Sequence, residues 1–426
     1  MRATIIILLC VVAAAVIGGG YVAMERARTA VSPLATYGTA SADEARALGE
    51  HLATSLSAGQ AKDFDAAFDL PAVVGEALVP VRLFPAERER FITNFTAGMN
   101  KATAGTLGVQ LAAGAKGGMV KLIRVHEVAG RQRALVRFVN GDDALNYFDL
   151  VIGKDALGHA RVIDYYNFLN GQMFNQIVAG VALPSIAESR KTSLERLIDG
   201  GNRIDMAAFV EVTKLAAAGK HAEAVARWKE LPEPLRASRV GLFLRMQCAQ
   251  AIGGDEYQQA IDAITSAFPD DGSLALIQID GFVLRKDWNH ALASIDQVDR
   301  SVGGDPYLDC TRAGVLRVAG RFAEAELAMS RYLAAEPGVK KAWWSAVDIA
   351  LAAKDHAETA RLLGELERRF HITFKDLANT KAYADFATSP EYAQWLARPS
   401  AQTGRQGERS TEAAVAEPGA PEPAAP

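Results

Sequence analysis

The stretch of sequence that decides the fold is Gly320-Arg321-Phe322-Ala323-Glu324-Ala325. A glycine that turns the chain is followed by an aromatic residue and then by a small residue, an order typical of two antiparallel helices joined by a tight turn. Helices can stack closely only where a side chain as small as alanine lets their backbones approach. The segment therefore predicts a helix pair that packs through Ala325.

Four weaker relatives of this segment lie elsewhere in the chain. They run from Gly219 to Ala224, from Asp255 to Ala260, from Lys286 to Ala291 and around Asp355 to Ala360. The alanines that end the five segments are spaced by 36, 31, 34 and 35 residues. A nearly constant period of this length indicates a solenoid of stacked helix pairs. We predict five pairs over residues 205–372, and the degeneracy of the repeats leaves four or six open.

The segment and its period resemble the tetratricopeptide repeat, a helix pair with a period of 34 residues. Ala313 stands at the small position of the first helix, Pro337 at the terminal proline and Trp344 at the aromatic position that opens the last unit. Tyr332 departs from the pattern because alanine is usual there, and the first three repeats lack the first-helix tryptophan. The resemblance implies packing roles for Ala224, Ala260, Ala291, Gly320, Phe322, Ala325, Pro337, Trp344 and Ala360.

The same resemblance implies a concave face that binds a peptide or a helix of a partner protein. By analogy with the family, the first helices would place these side chains on that face: Phe209, Arg245, Asp280, Tyr307 and Arg317. An ordinary place on a solvated or half-buried helix surface is the alternative for each. Phe209 and Thr213 stand where some members carry the Lys/Asn clamp for a C-terminal carboxylate, so that subtype is not expected. Residues 373–397 resemble the helices that cap such arrays.

Residues 41–190 predict a small α+β domain. Ser41 and Glu44 match a capping box at a helix start. A short helix near Phe64 should end at Pro71, and a longer helix should run from Pro85 to about residue 115. Alternation of apolar and polar residues then predicts four antiparallel strands and a closing helix, within 119–125, 134–139, 147–152, 161–166 and 172–187.

The order of these elements resembles the cone-shaped folds of the nuclear-transport-factor-2-like type, in which a bent sheet wraps a long helix. Some of these folds hold a ligand pocket or an Asp/His/Tyr site, for which the candidates here are His159, Asp164, Tyr165 and Tyr166. A strand with alternating buried and exposed aromatic residues is the favoured alternative, since no nucleophile elbow, phosphate loop or metal-spaced carboxylate set accompanies them. His126 and Glu127 are read as solvated ends of a strand. We predict no catalytic residue, metal or cofactor.

The first 30 residues predict a membrane anchor. No charged residue occurs between Arg2 and Glu25, and a helix over these 22 positions would span roughly 33 Å, the thickness of a bilayer core. We expect a single-pass protein of a bacterial inner membrane whose C-terminal domains are exported. A signal peptide cleaved near Gly18-Gly19-Gly20, leaving a periplasmic or secreted protein, is the alternative.

The composition bounds the remaining possibilities. The chain has 426 residues, half of them hydrophobic, and a formal net charge of −4, which gives no general attraction to nucleic acid. Cys10, Cys248 and Cys310 form no metal- or redox-type cluster. Residues 31–40 and 191–204 read as linkers, and the Ala-, Pro- and Glu-rich residues 398–426 predict a disordered tail.

Taken together, these patterns predict a mainly α chain: a tetratricopeptide-like solenoid preceded by a small α+β domain and a transmembrane helix. The expected function is a membrane-anchored scaffold that binds partner proteins through the repeat array. The alternative is a small-ligand-binding protein or an enzyme that acts through the α+β domain with the repeats as accessory. A third possibility is that the array packs against its own α+β domain and mediates self-association.

Overall fold

The computed structural model describes residues 31–102, 105–190, 206–374 and 377–398. The predicted anchor over 1–30, the linker over 191–204 and the tail from residue 399 onward lie outside the described residues. Within the described ranges, helices predominate and a small antiparallel sheet accompanies them, as the sequence predicts. None of the helices described is both long enough and apolar enough to cross a bilayer.

The chain divides into two compact units, with the division between Gly281 and Phe282. The first unit contains the sheet together with the first helix pairs of the predicted repeat region, so the division does not coincide with the predicted domain boundary at 190–205. The second unit contains the remaining helices. Each unit has its own buried core.

Five helices precede the sheet in the first unit: α1 Ala42–Ser57, α2 Ala61–Ala67, α3 Leu70–Ala77, α4 Pro85–Ala102 and α5 Leu107–Ala115. The capping box at the start of α1 is confirmed, since the Ser41 side chain accepts from the backbone of Glu44 and the Glu44 side chain accepts from the backbone of Ser41. The remaining boundaries differ from prediction in two places.

Pro71 does not end a helix but lies in the first turn of α3, where Asp69 is the N-cap. The first turn tolerates proline because its missing N–H would have no partner inside the helix anyway. The single helix predicted from Pro85 to residue 115 is also wrong. A new helix, α5, begins after Thr106, whose side chain accepts from the backbone of Val109 and so caps the new start.

The sheet contains the four predicted strands and two short ones: β1 Gly38–Thr39, β2 Met119–Val128, β3 Arg131–Val139, β4 Leu145–Lys154, β5 Ala160–Asn167 and β6 Gln172–Met173. The order is β2-β3-β4-β5-β6, all neighbours are antiparallel, and β1 pairs with the end of β4. Register shifts near Ile123 in β2 and Ile163 in β5 interrupt the pairing, and such bulges bend a sheet. Helix α6, Phe174–Arg190, follows β6.

Helix α1 crosses the inner face of the sheet over β2 and β3. The approach is close at Gly49, where a Cβ atom would come within 3.0 Å of both Ala134 and Leu122 side chains. The space between α1, α2, α5 and the sheet is filled by apolar side chains such as Leu52, Phe64 and Phe148. The inner face of the sheet is therefore part of the hydrophobic core.

The first unit continues with further helices: α7 Met206–Ala217, α8 His221–Lys229, α9 Glu233–Arg236, α10 Arg239–Ile252, α11 Gly254–Ala267 and the start of α12 Ala275–Leu284. Helix α10 is buried along most of its length, because α8 and α11 pack on it and α6 also contacts it. A Cβ atom at Gly180 of α6 would come within 3.0 Å of Val240.

Arg239 joins the sheet region to the helix pairs. Its Nε atom donates to the carbonyl oxygen of Asn170 at 2.8 Å, and its guanidinium forms an ion pair with Asp271. The guanidinium carbon also lies 4.9 Å from the ring centre of Phe268. Gly171, with φ of +64°, leaves room beside this cluster, since a Cβ atom there would lie 1.9 Å from Ser273 Oγ. The sheet and the first helix pairs therefore share one interior.

The second unit contains α13 Trp288–Val302, α14 Tyr307–Val318, α15 Phe322–Ala335, α16 Lys340–Ala353 and α17 His356–Phe370, followed by α18 Ala384–Ala387 and α19 Pro390–Leu396. Successive helices from α13 to α17 contact one another. Gly320 turns the chain between α14 and α15 with φ of +73°, a conformation that glycine adopts without strain. At the C-terminal end, Phe374 packs edge-on against Trp344 and Trp395, which closes the last helix pair.

Candidate functional site

Five alanines of the recurring segment lie in the interior of their units. Ala224, Ala260, Ala291, Ala325 and Ala360 expose at most 4% of their surface. Ala224, Ala260, Ala325 and Ala360 each lie in the second helix of a pair whose two helices contact each other, and Ala291 lies in α13. Phe322 and Trp344 are half-buried, and Gly320 and Pro337 are exposed in turns. Trp343, beside Trp344, is the more deeply buried of the two and donates from Nε1 to the carbonyl oxygen of Pro337 at 2.9 Å.

In the first unit, three predicted groove residues have internal roles. Phe209 is fully buried in α7. Arg245 forms a two-point contact with Glu256 Oε1, from Nε at 3.0 Å and from Nη2 at 2.7 Å, and lies 5.1 Å from the ring centre of Trp228.

Asp280 accepts a hydrogen bond of 2.6 Å from the Tyr257 hydroxyl group, and burial raises the pKa of its carboxyl group. Phe209, Arg245 and Asp280 are therefore each buried or paired within the first unit. The structure does not bring these side chains together on an open face.

In the second unit, the two predicted groove residues of α14 differ. Tyr307 is buried and packs edge-on against Tyr332 at 5.6 Å between ring centres. Arg317 is exposed, and its charge acts on the carboxyl group of Asp348 in α16, so the two side chains are neighbours. Arg317 is therefore the predicted groove residue that the structure leaves accessible.

The surface around Arg317 is a shallow face between two contacting helices, which we call the α14–α16 face. On α14 it carries Cys310, Gly314 and Arg317, and on α16 it carries Lys341, Trp344 and Asp348 at the same helical spacing; Arg317 and Asp348 are the neighbours across it, and Phe374 packs on Trp344. Cys310, Gly314 and Arg317 are spaced by four and three residues and so line one side of α14. A methyl group on Gly314 would meet open space, so the middle of the face is low and unobstructed. Val318, at its edge, is 55% exposed.

The sheet region holds an apolar cavity rather than a polar site. The cavity has a volume of ≈ 20 Å³ and lies between α1, α2, α5 and the inner face of the sheet. Its lining comprises Leu52, Ala53, Leu56, Phe64, Leu111, Val120, Val136, Phe138, Phe148, Leu150 and Tyr165. About one water molecule needs that much room, whereas pockets for small ligands are typically 300–1,000 Å³.

The structure disperses the four Asp/His/Tyr candidates of the sheet region. His159 is exposed on the turn between β4 and β5, and its Nδ1 atom lies 3.6 Å from Asp155 Oδ2. Tyr165 points to the core, where its ring stacks on Phe174 at 4.9 Å. Tyr166 lies on the opposite side of β5 and is half-buried. The four side chains therefore do not converge on one reacting position.

Asp164 has the most perturbed environment of these four residues. It is 1% exposed, and its Oδ1 atom accepts from the backbone N–H groups of Tyr165 at 2.9 Å and Asn175 at 3.3 Å. Its Oδ2 atom has no hydrogen-bond partner among the described residues. Burial raises the pKa of Asp164 to about 7, against the opposing effects of these hydrogen bonds and of the Arg133 charge.

The outer face of the sheet carries a polar cluster that the sequence analysis missed. His126 Nε2 lies 2.9 Å from Asp149 Oδ1, and Arg133 Nη1 donates to Asp149 Oδ2 at 3.2 Å. The His126 side chain is 24% exposed but engages Asp149, so it is not merely solvated as predicted, whereas Glu127 is exposed as predicted. Cross-strand register is the signal that could have found the cluster, since β3 pairs His126 directly with Arg133 and Leu135 directly with Asp149.

No protein family model matches the chain, and no curated protein matches it at a significant level.

Proposed function

We propose that this chain is a protein-interaction scaffold whose helix pairs are of the tetratricopeptide type. The observation that carries the proposal is the recurrence of a fully buried alanine at 31–36-residue spacing in successive helix pairs. Repeats of this kind use the surface of their first helices to hold a peptide or a helix. In the second unit, the first helices α14 and α16 form the open α14–α16 face.

The character of the α14–α16 face fits a peptide rather than a small molecule. A Cβ atom at Gly314 would meet open space, the aliphatic Val318 is exposed at the edge, and Arg317 and Asp348 can form ion pairs. A shallow surface of this kind buries too little of a small molecule to hold it, whereas an extended segment can cross several helices. We assign the partner site to this face, with Arg317 at its centre.

The sheet region supports the scaffold role because its interior is filled. We infer a cone-like α+β module similar to the nuclear-transport-factor-2-like folds, in which α1 and the apolar cavity occupy the place of a ligand pocket. The alternative function, small-ligand binding or catalysis by this module, rests on one observation, the Asp149–His126–Arg133 cluster. A compound that protects the protein thermally, but not its His126→Gln variant, would favour that alternative.

The proposed setting is the surface of a bacterial inner membrane, with residues 1–30 as the anchor and the C-terminal domains exported. The alternative is a cleaved leader and a periplasmic or secreted protein. A reporter fused after Pro426 that is active only in the cytoplasm would contradict the exported orientation.

The function is tested by affinity capture with the full chain from membranes of the source cell. We expect specific partners to be enriched by the wild-type chain and lost with Arg317→Glu, because the substitution reverses the central charge of the face. Arg300→Glu is the matched control, since Arg300 is an exposed arginine on α13, in the second helix of a pair. Equal capture by the wild type and the Arg317→Glu variant would rule out this face as the partner site.

A further inference from the structure

We propose that the first unit contacts the lipid bilayer through one end of its sheet, with the side chain of Leu157 in the lipid. We call this end the strap end. It carries the β2–β3 turn (residues 128–131), the β4–β5 turn (residues 155–159) and the strap (residues 32–39), which precedes α1. The inference rests on the membrane anchor of the proposed function and goes beyond it by naming the surface that faces the lipid.

The strap is fixed to this end of the sheet by hydrogen bonds. The Arg131 guanidinium donates from Nη1 to the carbonyl oxygens of Tyr37 at 2.8 Å and Gly38 at 2.9 Å. Its Nη2 atom donates to the carbonyl oxygen of Leu34 at 3.1 Å. Strand β1, within the strap, also pairs with the end of β4. The strap therefore lies against both of the strands that lead into the turns.

The strap sets how far this end of the sheet can lie from the membrane. Its first residue, Ser32, is itself held, since Ser32 Oγ donates to Glu76 Oε2 of α3 at 2.5 Å. Only the seven residues 25–31 separate Ser32 from the uncharged run of the predicted anchor, and seven extended residues span at most about 25 Å. The β3–β4 turn marks the opposite end of the sheet, roughly 30 Å further along the nine residues of β3. The strap end is therefore the end that the anchor holds next to the bilayer.

The strap end also exposes apolar side chains. Leu157, in the β4–β5 turn, is 81% exposed, and Val31, directly before the strap, is 80% exposed. They are the two most exposed large apolar residues in the part of the chain that the structure describes. Val128, in the β2–β3 turn, is 38% exposed. A single exposed apolar residue is common on proteins in water, but three beside a predicted anchor match the apolar contact of a surface that lies on a membrane.

The β4–β5 turn holds Leu157 in a fixed position. Asp155 Oδ1 accepts from the backbone N–H groups of Leu157 and His159, each at 2.9 Å. The backbone N–H group of Asp155 donates to the carbonyl oxygen of His159 at 3.0 Å, and Gly158 takes φ of +84° between them. Because the turn is already ordered, Leu157 can enter the lipid with little loss of backbone freedom.

The charges at the strap end leave the contact to these apolar side chains. Lys154 Nζ lies 2.7 Å from Glu44 Oε1 of α1, so this cation is paired. The contact therefore does not require anionic lipid, and burial of one leucine side chain favours it by roughly tenfold. The other charged residues in and beside the two turns are of both signs: Arg131, Arg161, Glu127 and Asp155.

The experiment uses the full chain in phosphatidylcholine nanodiscs and measures photo-cross-linking to lipid by mass spectrometry. The photoreactive residue p-benzoylphenylalanine takes the place of Ala156, which is exposed beside Leu157. In the control chain it takes the place of Lys116, which is exposed next to Gly141 of the β3–β4 turn. We expect position 156 to cross-link lipid roughly tenfold more than position 116.

A second comparison tests the role of the leucine. With the reporter at position 156, Leu157→Ser should lower cross-linking by roughly tenfold, because it removes the leucine from the contact. Val109→Ser is the matched control, since Val109 is a 43% exposed residue of α5 in the same unit, and should change cross-linking by less than about twofold. Salt at about 0.5 M should change neither result, because the contact is apolar. Circular dichroism checks that each variant keeps its helices.

The outcomes separate this proposal from the ones it rests on. Equal cross-linking from positions 156 and 116 in a chain that stays in the nanodisc would overturn the lipid contact and leave the anchor intact. An unchanged yield in Leu157→Ser, or a loss of cross-linking at high salt, would also overturn it. If the chain does not enter the nanodisc, the anchor and the lipid contact fail together. Partner capture that is lost with Arg317→Glu would still support the scaffold function.

Discussion

Replacing Asp164 by Asn should flatten the pH dependence of the stability of the first unit. The Asp164 carboxyl group is 1% exposed, and burial raises its pKa from 3.8 to about 7. The folded state therefore holds a proton at Asp164 that the unfolded state releases near pH 4. Between these two pKa values the folded state binds more protons than the unfolded state, so the free energy of unfolding falls as the pH rises. Above about pH 7 the folded state also releases this proton, so the stability that the protonated Asp164 contributed at lower pH is absent.

The size of the effect follows from the two pKa values. Integrating the proton linkage between about pH 5.5 and about pH 8 gives a loss of roughly 2 kcal/mol in the wild type. Asn cannot titrate, yet its carbonyl oxygen can still accept from the N–H groups of Tyr165 and Asn175. The variant should therefore lack this loss and gain about 2 kcal/mol relative to the wild type across the interval.

The assay is urea unfolding of the full chain at both pH values, followed by circular dichroism and by hydrogen exchange of β5 to isolate the first unit. Asp270→Asn, on an exposed loop of the same unit, is the control and should leave the wild-type pH dependence unchanged. The reasoning is refuted if Asp164→Asn and the wild type lose the same stability between the two pH values. It is also refuted if the wild type becomes more stable as the pH rises through this range.

Two further predictions concern packing. Ala325→Leu adds three carbons at a fully buried contact and should lower the stability of the second unit by about 1–3 kcal/mol in calorimetry. Ala323→Leu, on the exposed side of the same helix, is the control and should change that stability by less than about 0.5 kcal/mol. Equal effects of the two substitutions would contradict the packing role of Ala325. Arg239→Lys removes the planar guanidinium that contacts Asn170, Asp271 and Phe268. This substitution should lower the free energy of unfolding of the first unit, measured in urea, by about 1.5–3 kcal/mol. A loss below about 0.5 kcal/mol would show that these contacts do not stabilise the unit.

Much of the local structure was predictable because it depends on residues close together in sequence. The capping box at Ser41 and Glu44 satisfies backbone groups within one turn, so neighbouring residues suffice to locate the helix start. The four strands follow from alternation of apolar and polar residues with a period of two. Pro71 shows the limit of such reasoning, because a proline fits either just after a helix or in its first turn, and neighbouring contacts decide between them.

The candidate site was less predictable because it depends on what lies opposite each residue in space. Arg245 occupies a groove position by analogy, yet Glu256 and Trp228 engage it within the first unit. His126 looks like a solvated strand end until the register of β3 and β4 places Arg133 and Asp149 beside it. Ion pairs of this kind join residues 11 and 23 positions apart, which no local pattern encodes.

The sequence by itself determined that the chain forms helix pairs at a period near 34 residues and one antiparallel sheet, because hydrophobic periodicity and small-residue spacing act through short-range geometry. Only the tertiary structure decided which positions of those helices remain open. Burial depends on every element that packs on a helix: α8, α11 and α6 cover α10, whereas α14 keeps Gly314 and Arg317 accessible. For that reason we propose the partner site in the second unit.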